Sequence, residues 1–387
     1  MTVVIEPGDA RALTRALVRV DSRNPTLVAG APGEGPCAAL LRDVLDAWGF
    51  RTELHDAAPG RPNLVARIGG AAEEAGRSLM FNGHLDIVGV EGMIHPPFTA
   101  DERDGRLYGR GSADMKGGIA AMCAAALRAA RGGLRGEIVI AAVADEEYES
   151  LGTRALLERG VRADACVVTE PTRLAIMPAH RGFVWLEVEI TGRAAHGSRW
   201  DIGVDAIRHA GLLLAELDAH DADVLPRRTH PLLGRGSLHA SLIEGGIGMS
   251  TYPDRCVLRL ERRTIPGETA TDAIDEVQRA CDRIRARRAT FAAEVRLLVT
   301  QGPSDVAVAS PLVQGLGAAL GASGERVTVE GMSAWTDAAL LNDAGIPAVC
   351  FGPGDISLAH AAEEYIPLDE IDRATSVLAS FASRWCA

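Results

Sequence analysis

The sequence lacks the features that would place the protein in a membrane, outside the cell or on nucleic acid. No apolar run approaches the roughly 18 residues of a membrane-spanning helix, so we expect no membrane segment. The first residues, MTVVIEPGDARALTRALV, lack the basic region, long apolar core and cleavage site of a secretion signal. Positive charge is not in excess either, because 40 basic and 52 acidic residues give a net charge of −12, which repels nucleic acid on average.

The sequence also lacks any pairing pattern among its cysteines. The seven cysteines are an odd number, are widely scattered and form no CxxC motif. We interpret this pattern as reduced thiols and therefore predict a cytoplasmic protein. Cys166 and Cys350 lie in apolar, strand-like runs and are predicted to be core residues.

The first half of the sequence does contain a regular alternation of strand and helix patterns. Apolar runs that end in polar residues, SLMFNGHLDIV, GEIVIAAVADEE and ADACVVTEP, predict buried strands. The intervening stretches MKGGIAAMCAAALRAARGG and SLGTRALLERG predict helices, and a glycine pair closes the first of them. This alternation predicts an α/β fold in which a parallel-rich sheet lies between helices.

The pattern changes at about residue 181. Over residues 181–297 the order is strand, helix, two strands, helix and strand, which is the order of a ferredoxin-like α+β domain. The α/β pattern then returns. We therefore predict that residues 181–297 form a separate domain inserted into a first domain, which comprises residues 1–180 and 298–387.

Potential metal ligands follow the predicted strands. Ions and small molecules that bind to a parallel sheet do so beyond the carboxyl ends of its strands. Side chains two apart share a strand face, so Asp86 can accept the second imidazole N–H of His84, although the two could also serve separate roles. The acidic and histidine residues at the predicted strand ends are His84, Asp86, Glu146, Glu147 and Glu170.

Two further candidates lie in predicted loops. Asp114 is bracketed by glycines in GRGSADMKGG, where it could also be no more than a helix N-cap, and His360 lies in ISLAHAAEEY. Mixed nitrogen and oxygen donors suit a pair of zinc ions, which needs one bridging carboxylate and an open position for water. One member of the pair Glu146 and Glu147 can then bind a metal ion while the other stays free as a base.

Six motifs occur in the order typical of one group of zinc amidohydrolases: NGHLDIV, GRGSADMKGG, VADEEYESLG, TEPT, RAAHGS and LAHAAEEYIP. The sequence resembles this group, which includes acetylornithine deacetylase, succinyl-diaminopimelate desuccinylase, aminoacylase and glutamate carboxypeptidase. The resemblance covers nearly the whole chain. It implies a zinc-peptidase-like catalytic domain with an inserted dimerisation domain, and therefore a homodimer.

The same resemblance implies the metal ligands. His84 and Glu170 would bind one zinc ion, and Glu147 and His360 would bind the other. Asp114 would bridge the two ions and would be followed by a cis peptide bond to Met115. Carboxylate-rich sites of this kind also accept Co²⁺ or Mn²⁺.

The resemblance also implies the catalytic and substrate-binding residues. Glu146 would be the general base and acid, Asp86 would orient His84, and His196 would reach the neighbouring subunit's site to stabilise the oxyanion. Arg263, in RRTIPGE, would bind a substrate carboxylate, for which a guanidinium is well suited, unless it is a solvated arginine on an edge strand. Ser250 occupies a substrate-side position where many members of the group carry asparagine.

These observations predict a metal-dependent hydrolase that cleaves the amide bond of N-acyl amino acids or related small amides. A carboxypeptidase or dipeptidase that uses the same site is the alternative within the enzyme class. A metal-binding or scaffold protein without activity is the alternative outside it, but such a protein has no use for the free base that Glu146 would provide.

Overall fold

The computed structural model describes residues 4–70 and 76–387 and forms two compact units. The first unit contains the chain up to Pro178 together with Val306–Glu330 and Thr336–Ala387. The second unit contains Ala179–Asp305 and Gly331–Trp335. The predicted insertion, residues 181–297, lies within the second unit and ends inside the unit's last long strand.

Helices and strands are distributed along the whole described chain. The helices are α1 (Ala10–Val18), α2 (Gly35–Ala47), α3 (Gly117–Arg131), α4 (Leu151–Glu158), α5 (Ala206–Asp223), α6 (Ala270–Arg287), α7 (Pro311–Ala322), α8 (Ala338–Asp343) and α9 (Leu368–Trp385). The strands are β1 (Arg51–Ala58), β2 (Arg61–Gly69), β3 (Leu79–His84), β4 (Asp101–Arg103), β5 (Arg106–Tyr108), β6 (Glu137–Val143), β7 (Cys166–Val168), β8 (Ile176–His180), β9 (Gly182–Thr191), β10 (Thr229–His230), β11 (Gly234–Arg235), β12 (Ser237–Gly245), β13 (Arg255–Thr264), β14 (Ala292–Gln301), β15 (Ser304–Asp305), β16 (Val329–Met332), β17 (Ala348–Cys350) and β18 (Tyr365–Pro367). Within residues 4–70 and 76–387, no helix is long and apolar enough to cross a membrane.

The first unit is built on a mixed sheet whose centre is parallel. Its strands follow the order β1-β2-β6-β3-β7-β17-β8, and the central strands β6, β3, β7 and β17 are parallel to one another. Strands β3 and β7 are buried along their whole length, as expected for parallel strands covered by helices. Helix α3, itself mostly buried, packs against α9 in the main core. The predicted parallel-rich sheet between helices is confirmed.

The strand that carries His84 ends earlier than the sequence predicts. β3 ends at His84, so Asp86 lies beyond the sheet and the prediction that the two residues share a strand face is wrong. Leu85 still donates its N–H to Val143, at 2.8 Å, but the neighbouring backbone leaves the extended conformation at Asp145, which has a φ of 67°. The pairing of β3 with β6 therefore ends at His84 and Val143, one residue before Leu85 and two before Asp86.

The second unit has the ferredoxin-like arrangement. Its sheet follows the order β12-β13-β9-β14, and α5 and α6 supply the other half of its core. β9 alternates between buried and half-buried residues, as a strand with only one covered face does. Helix α6 begins with a capping box, in which Thr269 and Asp272 each accept a backbone N–H of the other.

Candidate metal centre

Side chains from three strand ends of the first unit meet at one edge of its sheet. His84 is the last residue of β3, Glu146 and Glu147 follow β6, and Glu170 follows β7. Because β6, β3 and β7 are parallel neighbours, their carboxyl ends lie at the same edge. The short apolar strands therefore place three glutamates and a histidine side by side before any other loop contributes.

Asp114, from the loop before α3, lies between two histidines. Its Oδ1 is 3.0 Å from His84 Nε2, and its Oδ2 is 3.6 Å from His360 Nε2. The Asp114–Met115 peptide bond is cis, as the resemblance implies. A carboxylate that faces a different imidazole with each of its oxygens is arranged as a bridge between two cations.

Each of the two histidines also faces a glutamate. Glu170 Oε1 is 3.9 Å from His84 Nε2, and Glu147 Oε2 is 2.9 Å from His360 Nε2. The structure thus brings together all the residues predicted to bind metal, and it places Glu146 among them. Potential ligand atoms lie within 4.8 Å of one another in two overlapping groups, His84 with Asp114 and Glu147, and His84 with Glu146 and Glu170.

The cluster carries more negative charge than its protein neighbours neutralise. Burial, with a contribution from Glu170, raises the pKa of Glu146 well above its usual range, and burial with Asp114 does the same for Glu170. Among the described residues, the ion pairs of Asp114, Glu147 and Glu170 are formed with histidine only. Divalent cations would offset this repulsion, and the imidazole and carboxylate donors suit zinc, cobalt or manganese.

Asp86 is fully buried behind the cluster and contacts it in two ways. Its carbonyl oxygen is 2.9 Å from His84 Nδ1, whereas its carboxylate Oδ1 is 3.6 Å from that nitrogen. The carboxylate accepts the backbone N–H groups of Glu146 and Glu147, each at 3.2 Å. The Asp86 atom nearest to the second imidazole nitrogen is therefore its carbonyl oxygen and not the predicted carboxylate, which instead accepts from the two glutamates.

Asp114 is supported by a buried glutamate that the sequence patterns do not predict. The buried Glu364 accepts the backbone N–H groups of Ala113 at 3.0 Å and Asp114 at 3.2 Å, and Arg110 Nη1 donates to it at 2.7 Å. Glu364 is 250 residues from Asp114 along the chain, so no local spacing connects them. The available signal was its position in the motif of His360, LAHAAEEYIP.

The other predicted site residues belong to the second unit. His196 is exposed, and its Nδ1 is 2.8 Å from Ser198 Oγ, while Gly197 donates its N–H to the Ser250 carbonyl at 2.7 Å. Arg263 is half-buried, forms an ion pair with Glu261 and lies over the ring of Phe183 at 5.4 Å. His196 and Ser250 are therefore on adjacent loops, and Arg263 is held in place by its neighbours on the sheet.

The comparisons with known proteins agree with this architecture and this cluster. A family model described as peptidase family M20/M25/M40 matches residues 80–384, which include every residue of the metal cluster. The chain belongs to this family. The acetylornithine deacetylase of Myxococcus xanthus is 33% identical over 354 residues, which cover 88% of this chain and 90% of that protein.

Other proteins similar to this chain have different activities in their names. The N-formyl-4-amino-5-aminomethyl-2-methylpyrimidine deformylase of Bacillus subtilis is 29% identical over 378 residues, covering 90% of this chain and 88% of that protein. The crystal structure of the aminopeptidase PepT from Bacillus cereus matches with a TM-score of 0.81 at 20% identity, over 99% of this chain and 100% of that one. The predicted fold class, the family and the assignment to metal-dependent amide or peptide hydrolases are thus confirmed.

Proposed function

We propose that this M20-family enzyme hydrolyses the amide bond of N-acyl amino acids or related small amides at a pair of divalent metal ions. The observation that carries the proposal is the position of Asp114, whose two oxygens face two different histidines, each with a glutamate beside it. When bound, two ions supply Lewis-acid polarisation of the amide carbonyl and of water. Zinc suits these donors, and cobalt or manganese could replace it.

The proposed roles divide the acids of the cluster into ligands and a base. His84 and Glu170 would hold one ion, Glu147 and His360 would hold the other, and Asp114 would be shared between them. Glu146 then remains free to take the proton of the attacking water and to pass it to the departing amine. Asp86 keeps His84 and the backbone of both glutamates in position.

In the second unit, we propose that His196 stabilises the oxyanion and that Arg263 binds the substrate's carboxylate. The ion pair with Glu261 and the ring of Phe183 hold the Arg263 guanidinium in one orientation, which favours recognition of a planar carboxylate. We propose that Ser250 offers a hydroxyl group to the substrate. The serine side chain is shorter than the asparagine that many related enzymes carry at this position.

A substrate panel tests the proposed class of substrate, N-acyl amino acids, together with the role of Arg263. We expect hydrolysis of N-acetyl, N-succinyl or N-formyl amino acids to be faster than that of dipeptides, and hydrolysis of the corresponding amides without a carboxylate to be slow. Arg263→Met should raise KM for the carboxylate substrates roughly 10- to 100-fold, because a charged hydrogen bond contributes about 1.5–3 kcal/mol. Arg259→Met, on the same strand and paired with Glu187 at 3.1 Å, is the control and should change KM little.

The outcome of the panel also decides between the two enzyme classes. Faster turnover of dipeptides would favour the alternative, a carboxypeptidase or dipeptidase that uses the same site. An equal effect of Arg263→Met on substrates with and without the carboxylate would contradict the proposed contact.

We also propose a homodimer that forms through the second unit. Strand β12 is an edge strand that is exposed from residue 239 to 245, and it presents Leu242 and Ile243, which are 54% and 56% exposed. In the loop after β12, the side chain of Ile247 is 84% exposed and that of Met249 is fully exposed, at 104%. A long apolar edge of this kind pairs with another strand unless it is protected, and a second copy of the chain offers the same edge.

Lysine substitutions on the two edges of this sheet test the dimer. Leu242→Lys with Ile243→Lys should give a monomer by light scattering, because the charges oppose pairing at β12. Leu297→Lys with Leu298→Lys, at similarly exposed positions on the opposite edge strand β14, should leave the dimer intact. Activity should fall in the monomer if His196 acts on the neighbouring subunit, and a wild-type monomer with full activity would refute both the dimer and that role.

The cysteines support a reducing compartment, and we propose the cytoplasm. All seven are unpaired and buried. Burial raises the pKa of Cys123 and of Cys350 well above the usual value of a thiol, so both behave as apolar core residues.

A further inference from the structure

A buried hydrogen-bond network behind the metal cluster centres on Asn24. Asn24 is fully buried, and its Nδ2 donates to Asp86 Oδ2 at 2.8 Å and to Asp145 Oδ1 at 3.0 Å. Its Oδ1 accepts the N–H of Thr26 at 2.9 Å, which fixes the end of the amide that faces the carboxylates. One amide nitrogen therefore joins two carboxylates that lie 62 and 121 residues away along the chain.

Asp145 anchors the turn that carries the two glutamates. It is a buried residue in the left-handed region, with a φ of 67°, a conformation that a non-glycine residue keeps only when its surroundings enforce it. Its carboxylate accepts from Arg61 Nη2 at 2.9 Å and from the N–H of Glu149 at 3.3 Å, and its own N–H donates to Glu34 Oε1 at 3.2 Å. These contacts fix the backbone from which Glu146 and Glu147 project.

Arg61 supplies the positive charge of the network. The carboxylates of Glu34, Asp86 and Asp145 are all fully buried, and burying an uncompensated carboxylate is costly. Arg61 Nε donates to Glu34 at 2.6 Å, and Arg61 Nη2 donates to Asp145. Arg61 forms ion pairs with Glu34 and Asp145, whereas the ion pair of Asp86 is with His84. Within the part of the chain that the structure describes, no other lysine or arginine forms an ion pair with any of these three carboxylates.

We propose that Asn24, supported by Arg61, is a positioning residue of the metal centre. This inference rests on the proposed function. Asn24 sets the separation between Asp86, which contacts His84, and Asp145, which holds the turn of Glu146 and Glu147. It thereby fixes the spacing between the ligands of β3 and the acids after β6 without contacting substrate or ion.

The chemistry of the position explains why the residue is an asparagine. The two N–H groups of its amide serve two carboxylates, and its carbonyl oxygen serves Thr26. An aspartate there would place a third carboxylate against the other two, and a leucine would keep the size but donate to neither. Loss of such supporting contacts typically weakens metal binding or activity about 10- to 100-fold.

The test compares metal binding by Asn24→Leu, Asn24→Asp and the wild-type protein. Each protein is stripped of metal and titrated with Zn²⁺ and with Co²⁺, and the visible absorption of the Co²⁺ form is recorded beside kcat and KM. We expect metal affinity to fall about 10- to 100-fold, the Co²⁺ bands to shift and kcat to fall more than KM rises. Arg61→Lys, which keeps the charge but loses the planar fork, provides a second variant with a smaller effect should Asn24→Asp not fold.

Asn342→Leu is the matched control. The Asn342 amide donates to the Ala348 carbonyl and accepts the Ala348 N–H, both at 2.9 Å, so the change removes hydrogen bonds of the same kind in the same unit. It should lower the melting temperature while leaving metal affinity and the Co²⁺ spectrum unchanged. If Asn24→Leu behaves in the same way, the positioning role is overturned, whereas a wild-type protein that binds neither ion would overturn the proposed function instead.

Discussion

Removal of divalent metal ions with a chelator is expected to reduce amide hydrolysis by a factor on the order of 10³ or more. The carboxylates of the cluster have histidine as their only ion-pair partners among the described residues, so the protein alone offers little to polarise an amide carbonyl or to activate water. A bound ion contributes several kcal/mol of charge stabilisation at the transition state, and about 1.4 kcal/mol corresponds to a tenfold change in rate. Initial rates before and after chelation measure the effect.

The same treatment should lower the thermal stability of the protein. A ligand at 100 times its Kd stabilises the folded state by about 2.7 kcal/mol, and the metal-free cluster also regains the repulsion between Glu146 and Glu170. Readdition of Zn²⁺, Co²⁺ or Mn²⁺ should restore both rate and melting temperature, whereas Na⁺ or K⁺ should restore neither. Full activity in protein shown by elemental analysis to hold no divalent ion would contradict the metal-dependent reaction.

The parts of the site that the sequence predicts are those built by short, local patterns. His84, Glu147 and Glu170 each stand at or just beyond the end of an apolar strand, and parallel pairing of β6, β3 and β7 is enough to bring them together. The order of six motifs then adds Asp114 and His360 through the resemblance. The first 70 residues, by contrast, form α1, α2, β1 and β2. These elements carry no predicted metal ligand, and the elements themselves were not predicted.

The parts that the sequence does not predict depend on contacts between distant segments. Asn24 contacts Asp86 and Asp145, and Glu364 contacts the backbone of Asp114, at separations of 62 to 250 residues. No motif surrounds Asn24, and the signal for Glu364 is its position in the motif of His360. The prediction that His84 and Asp86 share a strand face was based on strand periodicity, and it is wrong for a related reason. The turn at Asp145, in another segment, ends the ladder that would have carried Asp86.

Replacement of Glu146 by glutamine is expected to lower kcat by about 10²- to 10⁴-fold while metal content stays near that of the wild type. Glutamine keeps the size of the side chain but cannot take a proton from water, and general acid–base catalysis contributes about that factor. The backbone N–H of residue 146 still donates to Asp86, so the substitution leaves the position of the turn unchanged. Single-turnover rates together with metal content measured by elemental analysis provide the test.

The neighbouring glutamate supplies the contrast that makes the Glu146 result specific. Glu147 Oε2 lies 2.9 Å from His360 Nε2, so Glu147→Gln should weaken metal binding as well as activity. Glu146 also lies within 4.8 Å of His84 and Glu170, as the atoms of one potential metal site do. Glu146 could therefore bind a metal ion together with these two residues instead of acting as the base. Loss of metal from Glu146→Gln, with metal retained by Glu147→Gln, would reverse the two assignments, and full activity in Glu146→Gln would remove it as the base. The two adjacent acids project from a turn that Asp86 and Asp145 fix, so a difference between their variants reflects the side chains and not the backbone.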